Sequence, residues 1–271
     1  MKPAFQVEPF PDMRRMAPDI GWLTHNRYVI RGLLEIDVTL PRQLIREHKA
    51  RTGEQLSFTA FLAACLGHAV DADRHVHAMR NWKGDLVIFE DVDISILIER
   101  EQDGKKYPLA HIVRAANRKT FLDIHNEIRQ IQGKPHSDQE AKSLKTMVSM
   151  PWFVRRLMLW IVSKSPHMRK QNLGTVTLSA VGMFGNKAGW AIGPNFHPLG
   201  LLVGSIVEKP GVINGRIEVR EYLYLTLDFD HEVVDGAPAA RFAKHLIDLI
   251  EGGYGIAEEQ HISKEQRKVE E

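Results

Sequence analysis

Asn214-Gly215 stands between strongly β-prone runs, and it constrains this chain more than any other local feature. A two-residue hairpin turn needs positive φ at both central positions, and Asn and Gly reach it at the lowest cost. Residues 212–217 therefore read as a tight hairpin, with a continuous apolar strand over 201–207 before it and a second strand over 222–229 after it. A glycine-initiated helix over 236–251 follows, with Phe242, Leu246, Leu249 and Ile250 on one face and Gly252-Gly253 as its stop.

Upstream, strand-like and helix-like segments alternate without an internal repeat. Residues 29–38 read as a strand, and 40–51 as a short helix with Pro41 in its first turn and Gly53 after its end. Ser57 suits the N-cap of an apolar helix over 58–70. Strands are expected at 86–88, 92–98 and 175–180. Phe121, Ile124, Ile128 and Ile131 recur at spacings of three and four, which predicts an amphipathic helix opened by Thr120 and Asp123. Regular βα units are missing, so the fold class expected is α+β, with a mixed β-sheet flanked by helices.

Charge and cysteine content narrow the function classes. Lys plus Arg is 36 against 34 for Asp plus Glu, a balance that excludes a polybasic nucleic-acid or membrane binder. Cys65 is the single cysteine, which excludes a disulfide framework and a cysteine-built zinc cluster, and suits a cytoplasmic setting. The longest stretch free of Asp, Glu, Lys and Arg, residues 188–207, carries four glycines and two prolines, so it reads as turns and strand and not as a membrane span. No secretory signal is expected at the N-terminus, and no contact with nucleic acid or membrane.

The strongest chemical signal is the stretch Asp230-His231-Glu232-Val233-Val234-Asp235-Gly236. It puts a histidine at a strand tip, an aspartate four residues on, and a glycine where the backbone turns into a helix. From these residues alone, a structural turn histidine explains the pattern better than a catalytic base does. Ser179 alone reads as a polar residue at a strand end.

Residues 225–242, running from Leu225 through His231-Glu232-Val233-Val234-Asp235-Gly236 to Ala240-Arg241-Phe242, resemble the C-terminal signature of the 2-oxo acid dehydrogenase acyltransferases. The catalytic domain of that family shares the chloramphenicol acetyltransferase-like fold. Leu178-Ser179-Ala180-Val181-Gly182-Met183-Phe184-Gly185 resembles the family's serine-glycine strand. Asp103-Gly104 with Pro108 and the segment to residue 127 resembles its turn, strand and helix, and residues 33–44 its first strand-helix unit. The likeness covers most of residues 10–251 and is faint over 134–172.

The resemblance implies a single acyltransferase catalytic domain over residues 1–254, a polar C-terminal tail over 255–271, and no lipoyl or subunit-binding domain. It implies a stand-alone enzyme that moves an acyl group between coenzyme A, as substrate, and a thiol on a dihydrolipoamide-type carrier supplied in trans. No metal and no covalently bound lipoyl group are expected. The partners implied are acyl-coenzyme A, a separate lipoyl-carrier or dehydrogenase component, and copies of this chain in a homotrimer or a multiple of three, with the site at the trimer interface. His231 matches the general base, Ser179 the hydroxyl that donates to the oxyanion, and Asp235 the aspartate that holds the histidine loop through a buried ion pair with an arginine such as Arg14 or Arg15. Asp230, Gly182 and Gly236 are the motif's structural positions. Two alternatives stay open: acylation of a small-molecule hydroxyl or amine, and a non-catalytic trimeric scaffold derived from the family.

Glu232 stands where the family carries arginine, and this carboxylate is expected to disfavour anionic acyl groups. The apolar segment 151–163, whose only charges are Arg155 and Arg156, is expected to be a helix buried against the body or a neighbour, with a lid or wall of the acyl pocket as the functional alternative. His75 and His77 are expected on an exposed segment as a solvated pair, and Cys65 in the core.

Overall fold

A computed structural model describes residues 5–102, 105–133, 146–180 and 187–256. Its frame is a six-stranded mixed sheet of β1 (Val29–Asp37), β4 (Ile94–Gln102), β5 (Lys105–Val113), β6 (Val176–Ser179), β7 (Leu199–Ile213) and β8 (Arg216–Asp230), in the order β1-β8-β7-β6-β4-β5. β6 runs parallel to β4 and β7, and the other pairs are antiparallel. The short strands β2 (Met79–Arg80) and β3 (Leu86–Val87) pair with each other. The expected α+β class and mixed sheet are thus found.

The Asn-Gly turn forms as its residues demand, with φ of 52° at Asn214 and 78° at Gly215. The hairpin is longer than the apolar runs suggested, with both strands spanning 15 residues. Its tip carries Val212, Ile217 and Val219, all more than 70% exposed.

The α-helices that flank the sheet include α1 (Met16–Thr24), α2 (Thr39–Thr52), α3 (Phe58–Ala72), α4 (Phe121–Gly133), α5 (Trp152–Lys164), α6 (Pro166–Leu173) and α7 (Gly236–Glu251). Ser57 caps α3 by accepting from the Ala60 N–H at 3.2 Å. With residues 60–67 all buried, α3 packs between α4 and α7 against one face of the sheet. Leu199, Leu201 and Val203 of β7 meet Phe229, Leu227 and Leu225 of β8 on that face, and Phe242, Leu246 and Ile250 of α7 close the same core. Cys65 lies in it with its thiol pushed well up by burial. The packed body runs on through Ile256, which is buried, so it extends past residue 254.

Three expectations are corrected. His77 is not solvated: it is fully buried, with Nδ1 3.0 Å from Thr175 Oγ1 and Nε2 3.1 Å from the Phe89 carbonyl oxygen. Burial and the nearby Lys170 and Arg74 cations lower its pKa to about 4, against the Phe89 and Asp93 interactions. The second correction concerns α5. Against the body of its own chain its aromatic residues are outside and Arg155 inside: Arg155 is 6% exposed and Arg156 half-buried, while Trp152, Phe153 and Leu157 are 60%, 58% and 56% exposed. The reason is Asp19 on α1. Its buried carboxylate accepts from Arg155 Nε at 2.7 Å and Arg156 Nε at 3.0 Å, which turns the charged side of α5 inward. The third concerns Asp235 and is described with the site.

No described helix is long and apolar enough to cross a membrane. Among the described residues, no group of three His, Cys, Asp or Glu side chains could hold a metal ion.

Candidate active site

The second face of the sheet is polar. Its rows run from Thr177 and Ser179 on β6, across Gly200 and Leu202 on β7, to Thr226, Asp228 and Asp230 on β8, and end at Arg31 and Leu33 on β1. Segment 187–198 covers part of this face. Ser205 Oγ accepts from the Gly189 N–H at 2.9 Å, and the Asn195 side chain lies over Gly200.

β8 stops at Asp230 because that residue ties down the turn. Its carbonyl accepts from the N–H groups of Val233 and Val234, each at 3.0 Å, and its carboxylate takes the Glu232 N–H at 3.2 Å and the Arg27 guanidinium. The His231 N–H donates to the Tyr28 carbonyl at 2.8 Å, extending the β1 pairing by one rung. The imidazole thus stands at the tip of a fixed strand, with its side chain 45% exposed.

The ring has a defined orientation. Its Nδ1 lies 3.0 Å from the Val234 carbonyl oxygen. A carbonyl only accepts, so Nδ1 carries the proton and Nε2 keeps the lone pair in the neutral ring. The Asp235 carboxylate is 3.7 Å from Nδ1, beyond hydrogen-bond reach but close enough to act as an opposite charge.

Asp235 is therefore not a buried lock. Its side chain is 87% exposed and faces the histidine, not Arg14 or Arg15. Arg27 and Asp230 make the ion pair that fixes this turn. Gly236 opens α7 with no neighbouring atom of the described residues within 4 Å of where a Cβ would stand, so none of them forces glycine there. Gly182 and Asp103-Gly104 lie outside the described residues.

Ser179 ends β6, opposite Leu202 of β7, which in turn faces Thr226 of β8. His231 is five residues further along β8. Two strand spacings and five residues of rise put the two side chains roughly 20 Å apart in one chain. The fold does not bring Ser179 to His231 within a single subunit.

Sequence reasoning missed Asp228 and Arg31. Asp228 is fully buried, with Oδ1 3.1 Å from Arg31 Nε and Oδ2 without a partner. Burial raises its pKa, and the Arg31 cation opposes that. The pair is a direct consequence of β1–β8 register, which no local spacing announces.

Glu232 also has a partner: its carboxylate is 3.6 Å from Arg80. It lines a cavity of about 400 Å³ together with Asp230 and the four cations Arg27, Arg80, Lys164 and Arg169. The negative field expected beside the histidine is thus offset by basic side chains in the same cavity.

Comparison with known proteins adds to this geometry. Residues 163–256 match the family described as 2-oxoacid dehydrogenases acyltransferase (catalytic domain). The match covers about a third of the chain and includes Ser179, His231 and Asp235. The acyltransferase likeness extends beyond it. The succinyltransferase component of the Saccharomyces cerevisiae 2-oxoglutarate dehydrogenase complex is 29% identical over 233 residues, covering 84% of this chain and 42% of the relative. The lipoamide acyltransferase component of the branched-chain alpha-keto acid dehydrogenase complex of Bacillus subtilis is 27% identical over 226 residues, 81% and 46% of the two chains. The chain thus spans under half the length of these curated relatives. The dihydrolipoamide acetyltransferase of Azotobacter vinelandii superposes with a TM-score of 0.68 at 21% identity, covering 94% of this chain and 95% of that one. The truncated catalytic core of the 2-oxoacid dehydrogenase complex of Thermoplasma acidophilum gives 0.63 at 21% identity, covering 92% and 100%. The chain has the fold of these acyltransferase cores.

Proposed function

We propose that this protein transfers an acyl group between coenzyme A and the thiol of a dihydrolipoamide-type carrier supplied in trans, with His231 as general base. The observation that carries the reading is the contact between His231 Nδ1 and the Val234 carbonyl, which leaves Nε2 as an acceptor at the tip of β8. Nε2 takes the proton from the thiol. Ordinary pKa values of imidazole and thiol differ by about two units, so this transfer is uphill by about 2.7 kcal/mol, a modest cost for a positioned base. The thiolate attacks the thioester carbonyl and forms a tetrahedral oxyanion. Collapse breaks the original carbon–sulfur bond, and the departing thiolate recovers the proton from the imidazolium. Asp235, 3.7 Å from Nδ1, supplies an opposite charge while the imidazolium exists.

The oxyanion needs a donor, and Ser179 is assigned that role from a neighbouring subunit. Its hydroxyl is too far from His231 in its own chain, so the reading requires a closed ring of three copies in which the β6 end of one meets the β8 end of the next. Spacing supports the assignment. In the Azotobacter vinelandii enzyme, a serine, a histidine 52 residues later and an asparagine four residues after that were studied for their roles in the catalytic mechanism. Here Ser179, His231 and Asp235 repeat both intervals, with aspartate in the last position. Such donors contribute roughly 2.7–4 kcal/mol to transition-state stabilisation.

The test is a coupled assay with acetyl-, succinyl- and branched-chain acyl-coenzyme A and a free dihydrolipoyl domain. Transfer to the carrier thiol supports the reading. Transfer to small alcohols or amines with none to the thiol would replace it.

A further inference from the structure

Beneath α5 lies a second cavity, of about 470 Å³, next to the basic one. Its wall is mostly apolar, with Met16, Ile20, Met158, Leu159 and Val162 among the lining residues and Arg155, Asn172 and His197 as its polar members. Leu23 and Phe196 line both cavities, so the two adjoin. Methionine-rich apolar walls suit chains of variable shape, because the unbranched thioether side chain repacks at low cost.

The neighbouring basic cavity carries uncompensated positive charge. Arg27 and Arg169 converge on the Phe196 carbonyl, with Arg169 Nη2 at 2.8 Å, and both guanidinium groups lie over the Phe196 ring. Asp230 pairs directly with Arg27 and favours the Arg169 cation only at longer range, and among the described residues Arg169 makes no ion pair. Arg169 is 9% exposed, and its buried Nε has no hydrogen-bond partner among the described residues. Burial, with Arg27 nearby, lowers its pKa to about 10, so it remains a cation at neutral pH. Arg80 answers Glu232, and Lys164 adds a further charge from the end of α5. Two guanidinium groups this close repel each other, and an anion in this cavity would offset that repulsion.

We propose that the two cavities form one binding site for a single-chain anionic amphiphile. Its carboxylate or phosphate head lies against Arg169 and Lys164, and its hydrocarbon chain runs under α5. The arrangement matches the ligand in polarity end to end: cations gather at the Glu232 end and apolar side chains fill the other. Each methylene buried under α5 contributes about 0.8 kcal/mol, so affinity should climb with chain length until the cavity is full. The site goes beyond the acyl-transfer reading and stands independently of it, since binding and not turnover is its readout.

The test is calorimetric titration of the full chain with dodecanoate and dodecyl phosphate below their micelle concentrations, with dodecanol, acetate and inorganic phosphate alongside. Saturable binding of dodecanoate or dodecyl phosphate is expected, the tighter of the two naming the head group. Dodecanol, acetate and inorganic phosphate should bind at least about tenfold more weakly, a loss of about 1.4 kcal/mol each. Val162→Trp, which fills the apolar cavity, and Lys164→Glu, which reverses a charge at its basic end, should each weaken binding about tenfold or more while the melting temperature holds. No saturable binding to the wild type, equal binding of dodecanol, or unchanged binding in either folded variant would overturn the proposal.

Discussion

His231 Nδ1 and the Val234 carbonyl oxygen lie 3.0 Å apart across a turn of three residues, and this contact sets which ring nitrogen can take a proton. It also keeps the imidazole aimed outward from the end of β8. His231→Ala should therefore lower kcat for acyl transfer by about 10²- to 10⁴-fold, the range for loss of a general base. The ring is half exposed and its backbone N–H stays bonded to Tyr28, so the melting temperature should move little. A variant that kept wild-type turnover would remove His231 from the mechanism.

Asp19 and Arg155 are 136 residues apart in sequence and form a buried pair at 2.7 Å. Breaking a pair of this kind leaves a charge buried alone, a loss of about 3–5 kcal/mol. Asp19→Asn strands both Arg155 and Arg156, so chemical denaturation should show a fall in stability of that order, and amide exchange in α5 should accelerate. If exchange in α5 were unaltered, Asp19 would not be what holds that helix.

Gly204 occupies the irregular stretch of β7 between Val203 and Ile206, where the register with β8 shifts. A Cβ there would stand 2.7 Å from the Tyr224 carbonyl oxygen and closer still to that of Gly189. Backbone on both sides cannot step aside cheaply. Gly204→Ala should destabilise by about 1–3 kcal/mol through overpacking, whereas Gly236→Ala, with open space around it, should fall well below that in the same urea titration.

Burial holds His77 neutral in the folded chain down to about pH 4, while an unfolded histidine takes up its proton near 6.5. Between those values the unfolded state binds more protons, so stability rises with pH across this window and falls as acid is added. The His77 share of that change is about 3 kcal/mol, most of it reached by pH 4 and the remainder just below. Urea midpoints measured from pH 7 to pH 4 should decline in the wild type and decline less steeply in His77→Gln. Parallel slopes in the two proteins would mean that His77 is not held neutral.

The elements most legible in the sequence are those whose cause is local. Ser57 caps α3, Asn214-Gly215 turns the hairpin, and the spacing of Phe242, Leu246 and Ile250 sets the buried face of α7; each depends on residues within a turn or two. The histidine at the end of β8 was legible in the same way. What stayed hidden depends on distant partners. The apolar composition of α5 suggested burial, but a carboxylate on α1 decides which side faces in. The burial of His77 depends on Thr175 and Phe89, and the pairing of Arg31 with Asp228 on sheet register. The motif position of Asp235 implies a buried ion pair, yet the arginine that fixes the turn reaches Asp230 instead.

A site shared between subunits is the account's central claim, and mixed assembly tests it most directly. His231→Ala and Ser179→Ala chains are purified separately, shown to be inactive, then dissociated, mixed in equal amounts and reassembled. With the base from one chain and the oxyanion donor from the next, random mixing restores both groups at about one quarter of the interfaces. Acyl-transfer activity should then return to about a quarter of the wild-type value, less whatever fraction fails to reassemble. Mixed oligomers that stay as inactive as the two parents would contradict the account.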